Sequence, residues 1–428
     1  MHARIAARRR LIALVAVIAV TGAGCSGESD DADGDGPTTP SATADASSVP
    51  PTAESTTLPA TTLPATTTTV PPTPGETWQS LATPFEPADA VAVGDTLWIA
   101  GLVNEFPVLA SSVDGVDWAQ HDLAALGLPT QTTLNQPGDL VRLLSLGSWN
   151  GQLYAVAAAP PQPGVSADGV VGDLWVVTTE AAAPGSVRLI PPGESGLDQR
   201  LAGPENFRIM ELGNAVLGTE RPTFTAEGQW WLPYKTGDSD FAAIELGADG
   251  RWTIASTDID DGAFNPADGA AFGTGVIALS ETFASETELA AWTRTEAGWQ
   301  FGRVALPPGI TEAAVSGAAS SPDTAVFVGV IATDSTSGDH RTVAWSTVDG
   351  VTWSIAELPD GASTSNASAR VVWTGEAFVV ASSAGPAWTS PDGTTWSIIG
   401  EHGTSHLTMW NGRIVSAGNE LEVSPPLA

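Results

Sequence analysis

Reactive side chains are scarce in this 428-residue chain, which holds one cysteine, one lysine, two tyrosines and five histidines. His402 and His406 are spaced like metal ligands, but they lie in a Gly/Ser turn with no third ligand and read as surface histidines. Asp258, Asp260 and Asp261, with Asn265 and Asp268 nearby, offer oxygens to Ca²⁺ without the full pattern of a calcium loop. Calcium is therefore the one cofactor left open, and the motifs imply no other. No Ser/His/Asp elbow, P-loop or dinucleotide fingerprint is present. The most unusual pair is Tyr234 with Lys235, the only lysine beside one of two tyrosines.

The single cysteine has a distinctive position. Arg8, Arg9 and Arg10 precede the apolar run Leu11 to Val20, followed by Thr21-Gly22-Ala23-Gly24-Cys25. Ten apolar residues make a helix of about 15 Å, half a bilayer core, so the run suits a secretion signal and not a spanning helix. The stretch resembles a bacterial lipoprotein signal, which implies cleavage before Cys25, a lipid on that residue and attachment to the extracytoplasmic face of the cell membrane. With Cys25 the only thiol, a disulfide framework and a thiolate metal site are both excluded. Residues 26–75 contain 13 Thr and 9 Pro without one aromatic, and Thr56-Thr57-Leu58-Pro59-Ala60 is repeated at once as Thr61-Thr62-Leu63-Pro64-Ala65. Such a segment buries too little apolar surface to fold and is expected to be a disordered, extended tether, placing a domain boundary near Glu76.

Composition and charge narrow the class further. The formal net charge is −33, and since four of the 16 basic residues lie in the signal, the exported chain sets 12 against 49 acidic residues. A nucleic-acid partner is excluded for want of a basic footprint. With 45 Gly, 32 Pro and 16 Trp but only 3 Met, residues 76–428 read as one all-β domain, rich in turn formers and poor in helix formers.

Internal repeats give that domain its form. Three segments share a pattern: Ser111-Ser112-Val113-Asp114-Gly115-Val116-Asp117-Trp118, Ser346-Thr347-Val348-Asp349-Gly350-Val351-Thr352-Trp353 and Thr389-Ser390-Pro391-Asp392-Gly393-Thr394-Thr395-Trp396. Weaker copies occur at Asp249-Gly250-Arg251-Trp252 and Thr295-Glu296-Ala297-Gly298-Trp299. Each reads as strand, tight turn, strand, with Asp folding onto backbone N–H groups, Gly supplying positive φ and Trp packing back over the turn. A second element, an alternating strand after a small turn, recurs at Val93-Gly94-Asp95, Trp149-Asn150-Gly151, Trp373-Thr374-Gly375 and Trp410-Asn411-Gly412, with divergent forms near Gly228, Gly273 and Asp323. Seven such units in 353 residues give about 50 each, the size of a four-stranded blade. The chain is too short after Ile414 for a full blade, while Glu76-Thr77-Trp78-Gln79-Ser80-Leu81 looks like the missing last strand. A seven-bladed β-propeller is predicted, closed by pairing the N-terminal strand with the C-terminal blade.

The Asp-Gly segments resemble the Asp-box, or bacterial neuraminidase repeat, shortened by one residue between Asp and Gly. That resemblance implies a sialidase-like propeller in which Asp114, Trp118, Asp349, Trp353, Asp392 and Trp396 brace the rim, away from any active centre. It also takes in photosystem II assembly factors, which are binding scaffolds. Loops joining second and third strands would then emerge on the opposite face. They would present Asn104, Glu105 and Phe106; Tyr234, Lys235, Asp238 and Asp240; Glu281, Glu286 and Glu288; and Asp334, His340 and Arg341. Tyr234, Lys235, His340 and Arg341 are the ligand-binding candidates. In the sialidase family an arginine triad and a Tyr/Glu pair act on the substrate, and Phe207-Arg208-Ile209 matches three residues of its opening motif, making Arg208 the one catalytic candidate. The expectation is a monomeric, envelope-anchored, non-catalytic propeller that binds an extracytoplasmic protein or glycan. The alternative is an exo-sialidase-type glycoside hydrolase.

Overall fold

A computed structural model describes residues 78–103, 106–129, 142–149, 151–158, 174–180, 183–195, 223–224, 230–235, 240–246, 251–260, 266–273, 275–280, 288–295, 298–333, 339–363, 368–383, 385–401, 406–418 and 420–426. Cys25, the segment 26–75, Arg208, Asp249, Gly250, Asp261 and His402 lie outside the described residues.

After β1 (Gln79–Leu81), blade 1 comprises β2 (Pro87–Val93), β3 (Thr96–Val103), β4 (Phe106–Ser112) and β5 (Ala119–His121). Blade 2 has β6 (Arg142–Trp149), β7 (Gln152–Ala158), β8 (Leu174–Glu180) and β9 (Ala183–Ile190), followed by a helical turn α1 (Pro192–Ser195). Blade 3 has β10 (Thr223–Phe224), β11 (Trp230–Lys235), β12 (Asp240–Leu246) and β13 (Trp252–Asp260). Blade 4 has β14 (Pro266–Phe272), β15 (Gly275–Ser280), β16 (Glu288–Thr295) and β17 (Gly298–Ala305). Blade 5 has β18 (Glu312–Ser320), β19 (Ala325–Ala332), β20 (His340–Thr347) and β21 (Ser354–Ser363). Blade 6 has β22 (Ala369–Trp373), β23 (Phe378–Ser382), β24 (Pro386–Ser390) and β25 (Ser397–Glu401). Blade 7 has β26 (His406–Trp410), β27 (Arg413–Ala417) and β28 (Leu421–Val423), and β1 supplies its fourth strand.

Every pairing is antiparallel, and the first strands touch in cyclic order: β2, β6, β10, β14, β18, β22, β26 and β2 again. This is a β-propeller with first strands innermost. Closure pairs Gln79 with Val423, Ser80 with Glu422 and Leu81 with Leu421, so the ring joins at its outer edge.

Period-two alternation places the core between blades. Phe327 and Trp345 of blade 5 pack with Ile277 and Leu289 of blade 4, while Val328 and Ala344 on the other face join Val371, Phe378 and Trp388 of blade 6. Buried on both faces, β19 reads as the near-continuous apolar run Ala325-Val326-Phe327-Val328. Trp98, Trp292, Trp345 and Trp388 have no exposure at all. At about 25 cal/mol per Å² and roughly 200 Å² each, such rings contribute about 5 kcal/mol apiece of transfer free energy. Much of the tryptophan excess therefore serves the inter-blade core.

Two kinds of turn emerge on one side of the ring. First-to-second-strand turns include Asn411-Gly412, with φ of +48° and +71°, the left-handed pair of a tight hairpin. Third-to-fourth-strand turns carry the three strong repeats. In blade 1 the Ser112 hydroxyl donates to Asp114 (3.0 Å) and accepts from the Gly115 N–H (2.8 Å), while Asp114 Oδ1 accepts from Val116 (2.8 Å) and Asp117 (2.9 Å). Thr347, Asp349 and Gly350 repeat this in blade 5, as do Ser390, Asp392 and Gly393 in blade 6. The weaker copy at Thr295 departs from the pattern, since Thr295 pairs directly with Gly298.

Candidate functional site

Antiparallel meanders send the second-to-third-strand and fourth-to-first-strand connections to the side opposite the Asp turns. Those of the predicted loop residues that are described prove to be strand termini. Tyr234 and Lys235 end β11, in register with Ala242 and Phe241. Asp240 begins β12, Glu288 begins β16, Phe106 begins β4, and His340 and Arg341 begin β20. Asn104, Glu105, Asp238, Glu281, Glu286 and Asp334 lie outside the described residues. Pairing register, which is non-local, extends these strands further than local alternation suggests.

The four ligand candidates come from two blades. Tyr234 and Lys235 belong to blade 3, while His340 and Arg341 belong to blade 5. As consecutive strand residues, His340 and Arg341 point to opposite faces of their blade. Arg341 pairs with Glu357. His340 is 7% exposed, and its Nδ1 is buried without a hydrogen-bond partner. It shares a row with Ala332 and Glu312, whose Oε2 is likewise buried and unpartnered. With two strand spacings of about 4.8 Å between them, this imidazole and carboxylate flank the small Ala332 on one blade face.

Other polar groups at the inner strands were not found in the sequence. Asp89 sits at a bulge in β2. Its Oδ1 accepts from the Ala90 N–H (2.8 Å) and lies 3.4 Å from His406 Nδ1, and its Oδ2 accepts from the Leu146 N–H (3.0 Å). One carboxylate therefore ties blade 1 to blades 7 and 2. This corrects the reading of His406 as a surface histidine, since its side chain is 22% exposed and held against Asp89. Ser316, at a bulge in β18, does the same between blades 5 and 6, donating to the Ala369 carbonyl (2.9 Å) and accepting from the Ala369 N–H (3.0 Å). The available signal was the triplet Pro87-Ala88-Asp89, which recurs as Pro266-Ala267-Asp268 and again places a buried Asp beside a bulge.

Several described carboxylates near this face are already engaged. Asp89 is spent on backbone amides and His406, Glu357 on Arg341, and Glu288 on Arg303 (3.2 Å). Glycoside hydrolysis commonly needs two carboxyl groups flanking one bond. Glu312 has an imidazole for its neighbour in the row, not a second carboxylate. Of the two tyrosines, Tyr154 lies near the start of β7, on the Asp-turn side, and burial pushes its phenol above the usual range, which opposes use as a nucleophile. For calcium, Asp258 and Asp260 fall in β13, the outer strand of blade 3, while Asp261 and Asn265 lie outside the described residues. Among the described residues no group of three His, Cys, Asp or Glu side chains is placed to hold a metal.

Fold and site together define a β-propeller whose described loop-face charges are largely engaged in its own structure. No protein-family model matches the sequence, and no curated protein matches it. Among solved structures, YCF48 bound to D1 peptide has a TM-score of 0.48 at 12% identity, covering 85% of this chain and 98% of that chain. A protein of unknown function from Dyadobacter fermentans scores 0.41 at 12% identity, covering 83% and 97%. The Hadza microbial sialidase Hz136 scores 0.35 at 11% identity, covering 80% and 65%. None of these likenesses bears on what the chain binds.

Proposed function

We propose that this chain is an envelope-anchored, non-catalytic β-propeller that binds a protein or glycan partner on the face opposite the Asp turns. The observation that supports this reading is the commitment of Asp89, Glu288 and Glu357, among the described residues, to structural partners, which leaves fewer carboxylates there for acid/base chemistry. The local bonding of Asp114, Asp349 and Asp392 supports taking their turns as Asp-boxes with a bracing role. The arginine run, apolar stretch and lone Cys25 support lipid attachment, with residues 26–75 as a tether holding the propeller away from the membrane.

The test is a glycan array and an envelope pull-down with the purified chain, run beside an assay for sugar release. Retention of a glycan or envelope protein without product is expected. Sugar release with turnover, or no ligand in either format, would remove the reading.

A further inference from the structure

Each fourth strand of the ring has a hydrogen-bonded neighbour on one side only, so the outer strands are its open edges. Among the described strands, six of the seven outer ones are blunted. β1 and β5 have three residues each, and the pairings of β9, β13, β21 and β25 are each interrupted by a register shift. β17 is different. Its eight residues pair with β16 in unbroken register, from Thr295 with Gly298 to Glu288 with Ala305. It contains no proline, and Gln300, Phe301, Arg303 and Ala305 are exposed along it. A Cβ on Gly302 would meet no atom within 4 Å, so no side chain walls off the middle of the strand. Every second residue therefore turns an unpaired N–H and C=O outward along an unbulged edge, the arrangement that accepts a further strand.

Charges beside this edge are mixed. Arg303 is paired with Glu288, and Arg294 lies in the row of Trp299. On the flanking outer strands, Arg251 precedes β13, which carries Asp258 and Asp260, and β21 carries Glu357 and Asp360. Asp249 and Glu296 lie outside the described residues and form no part of the edge. Such surroundings select neither an acidic nor a basic partner, so the choice of occupant falls to the strand's own pattern. Trp299, Phe301 and Arg303 share one face, and Gln300, Gly302 and Val304 the other. Phe301 lies 6.1 Å from Trp292 by ring centroids, and the Arg303 guanidinium lies 5.8 Å from the centre of the Phe301 ring. When β17 meets its counterpart antiparallel, residues of one face must meet residues of the same face. With Phe301 opposite its own counterpart, Trp299 faces Arg303 twice and Gln300 faces Gly302. Aromatic then meets aromatic, each cation meets an indole, and no charge on the strand faces its like.

We propose that this chain dimerises through the β17 edge of blade 4, with Phe301 on the two-fold axis and the two blades joined into one continuous sheet. Antiparallel pairing inverts one ring relative to the other, so the two loop faces point in opposite directions. The dimer takes the place of the monomer expected from the sequence and does not rest on the reading of the loop face as a binding surface. The test begins with the mass of the purified full chain by light scattering over a dilution series, which should show a dimer that dissociates on dilution. In a Cys25→Ser background, Phe301→Cys should form a disulfide-linked dimer on mild oxidation, because paired strand residues have Cα atoms about 4.5–5.5 Å apart. Ile398→Cys is the control, since Ile398 has similar exposure (40% against 36%) but lies on the bulged edge β25. It should not cross-link. Phe301→Lys, which sets two cations opposite one another on the axis, should weaken the dimer by about tenfold or more, while Ile398→Lys should leave it intact. A single-copy mass at every soluble concentration, equal cross-linking from Ile398→Cys and Phe301→Cys, or an undiminished dimer in Phe301→Lys would overturn the proposal. Should Phe301→Lys fail to fold, as judged by circular dichroism, the wild-type mass and the cysteine pair decide the matter alone.

Discussion

At the scale of single residues, the Asp turns make a pH prediction. Backbone N–H donation from Thr352 and Val351 holds Asp349 down to about 2. For Asp392 burial pushes upward, but donation from Thr395 and Thr394 outweighs it and again gives about 2. These folded values lie below the ordinary 3.8, so the unfolded chain binds more protons in between, and the stabilisation is complete above 3.8 and lost as pH falls through about 2. Thermal melts between pH 2 and 6 should show that acid limb. Asp349→Asn, which keeps an acceptor oxygen but cannot ionise, should shrink the limb and lower neutral-pH stability towards the acid level, because the contribution of the charged form is lost at every pH; an unaltered limb would contradict the assignment. These turns were legible in the sequence because all their bonds close within four residues. The Asp89–His406 contact was not, because its partners are 317 positions apart and meet only when the ring closes.

At the scale of elements, each Asp turn locks one blade to the preceding one. A Cβ on Gly115 would lie 3.1 Å from Leu81 and 3.2 Å from Trp410 of blade 7, one on Gly350 would lie 3.1 Å from Thr293 of blade 4, and one on Gly393 would lie 2.5 Å from Val326 of blade 5. Glycine there serves both a positive φ and a close inter-blade contact. Gly412 separates the two, since it has φ +71° but a Cβ placed on it would meet no atom within 4 Å. Gly412→Ala should therefore cost only backbone strain, about 1 kcal/mol, whereas Gly393→Ala adds overpacking worth about 1–3 kcal/mol more. Urea unfolding of both variants checks this, and equal losses would show that the turn does not clamp the blades. Element type was readable from local patterns such as Trp410-Asn411-Gly412. Element length was not, because the ends of β11 and β20 depend on neighbouring strands, and so Lys235 and His340 moved from expected loops into sheet.

At the scale of the whole molecule, seven recurring units and a stray Trp-bearing N-terminal strand were enough to anticipate a closed ring. Which faces of the blades meet, and hence why His340 and Arg341 diverge, required the pairing. Closure can be tested chemically because Cys25 is the only native thiol. Ser80 and Glu422 are directly paired across β1 and β28, and paired strand residues have Cα atoms about 4.5–5.5 Å apart, within disulfide range. In a Cys25→Ser background, Ser80→Cys/Glu422→Cys should oxidise to an intramolecular bond and raise the melting temperature. Failure to cross-link, or cross-linking only between chains, would contradict closure by β1. The functional account rests most directly on what happens to a ligand held on the loop face. Incubating the purified chain with an envelope fraction and following bound and released material by mass spectrometry should show a partner retained intact, with no sugar released; progressive release of cleaved glycan would contradict it.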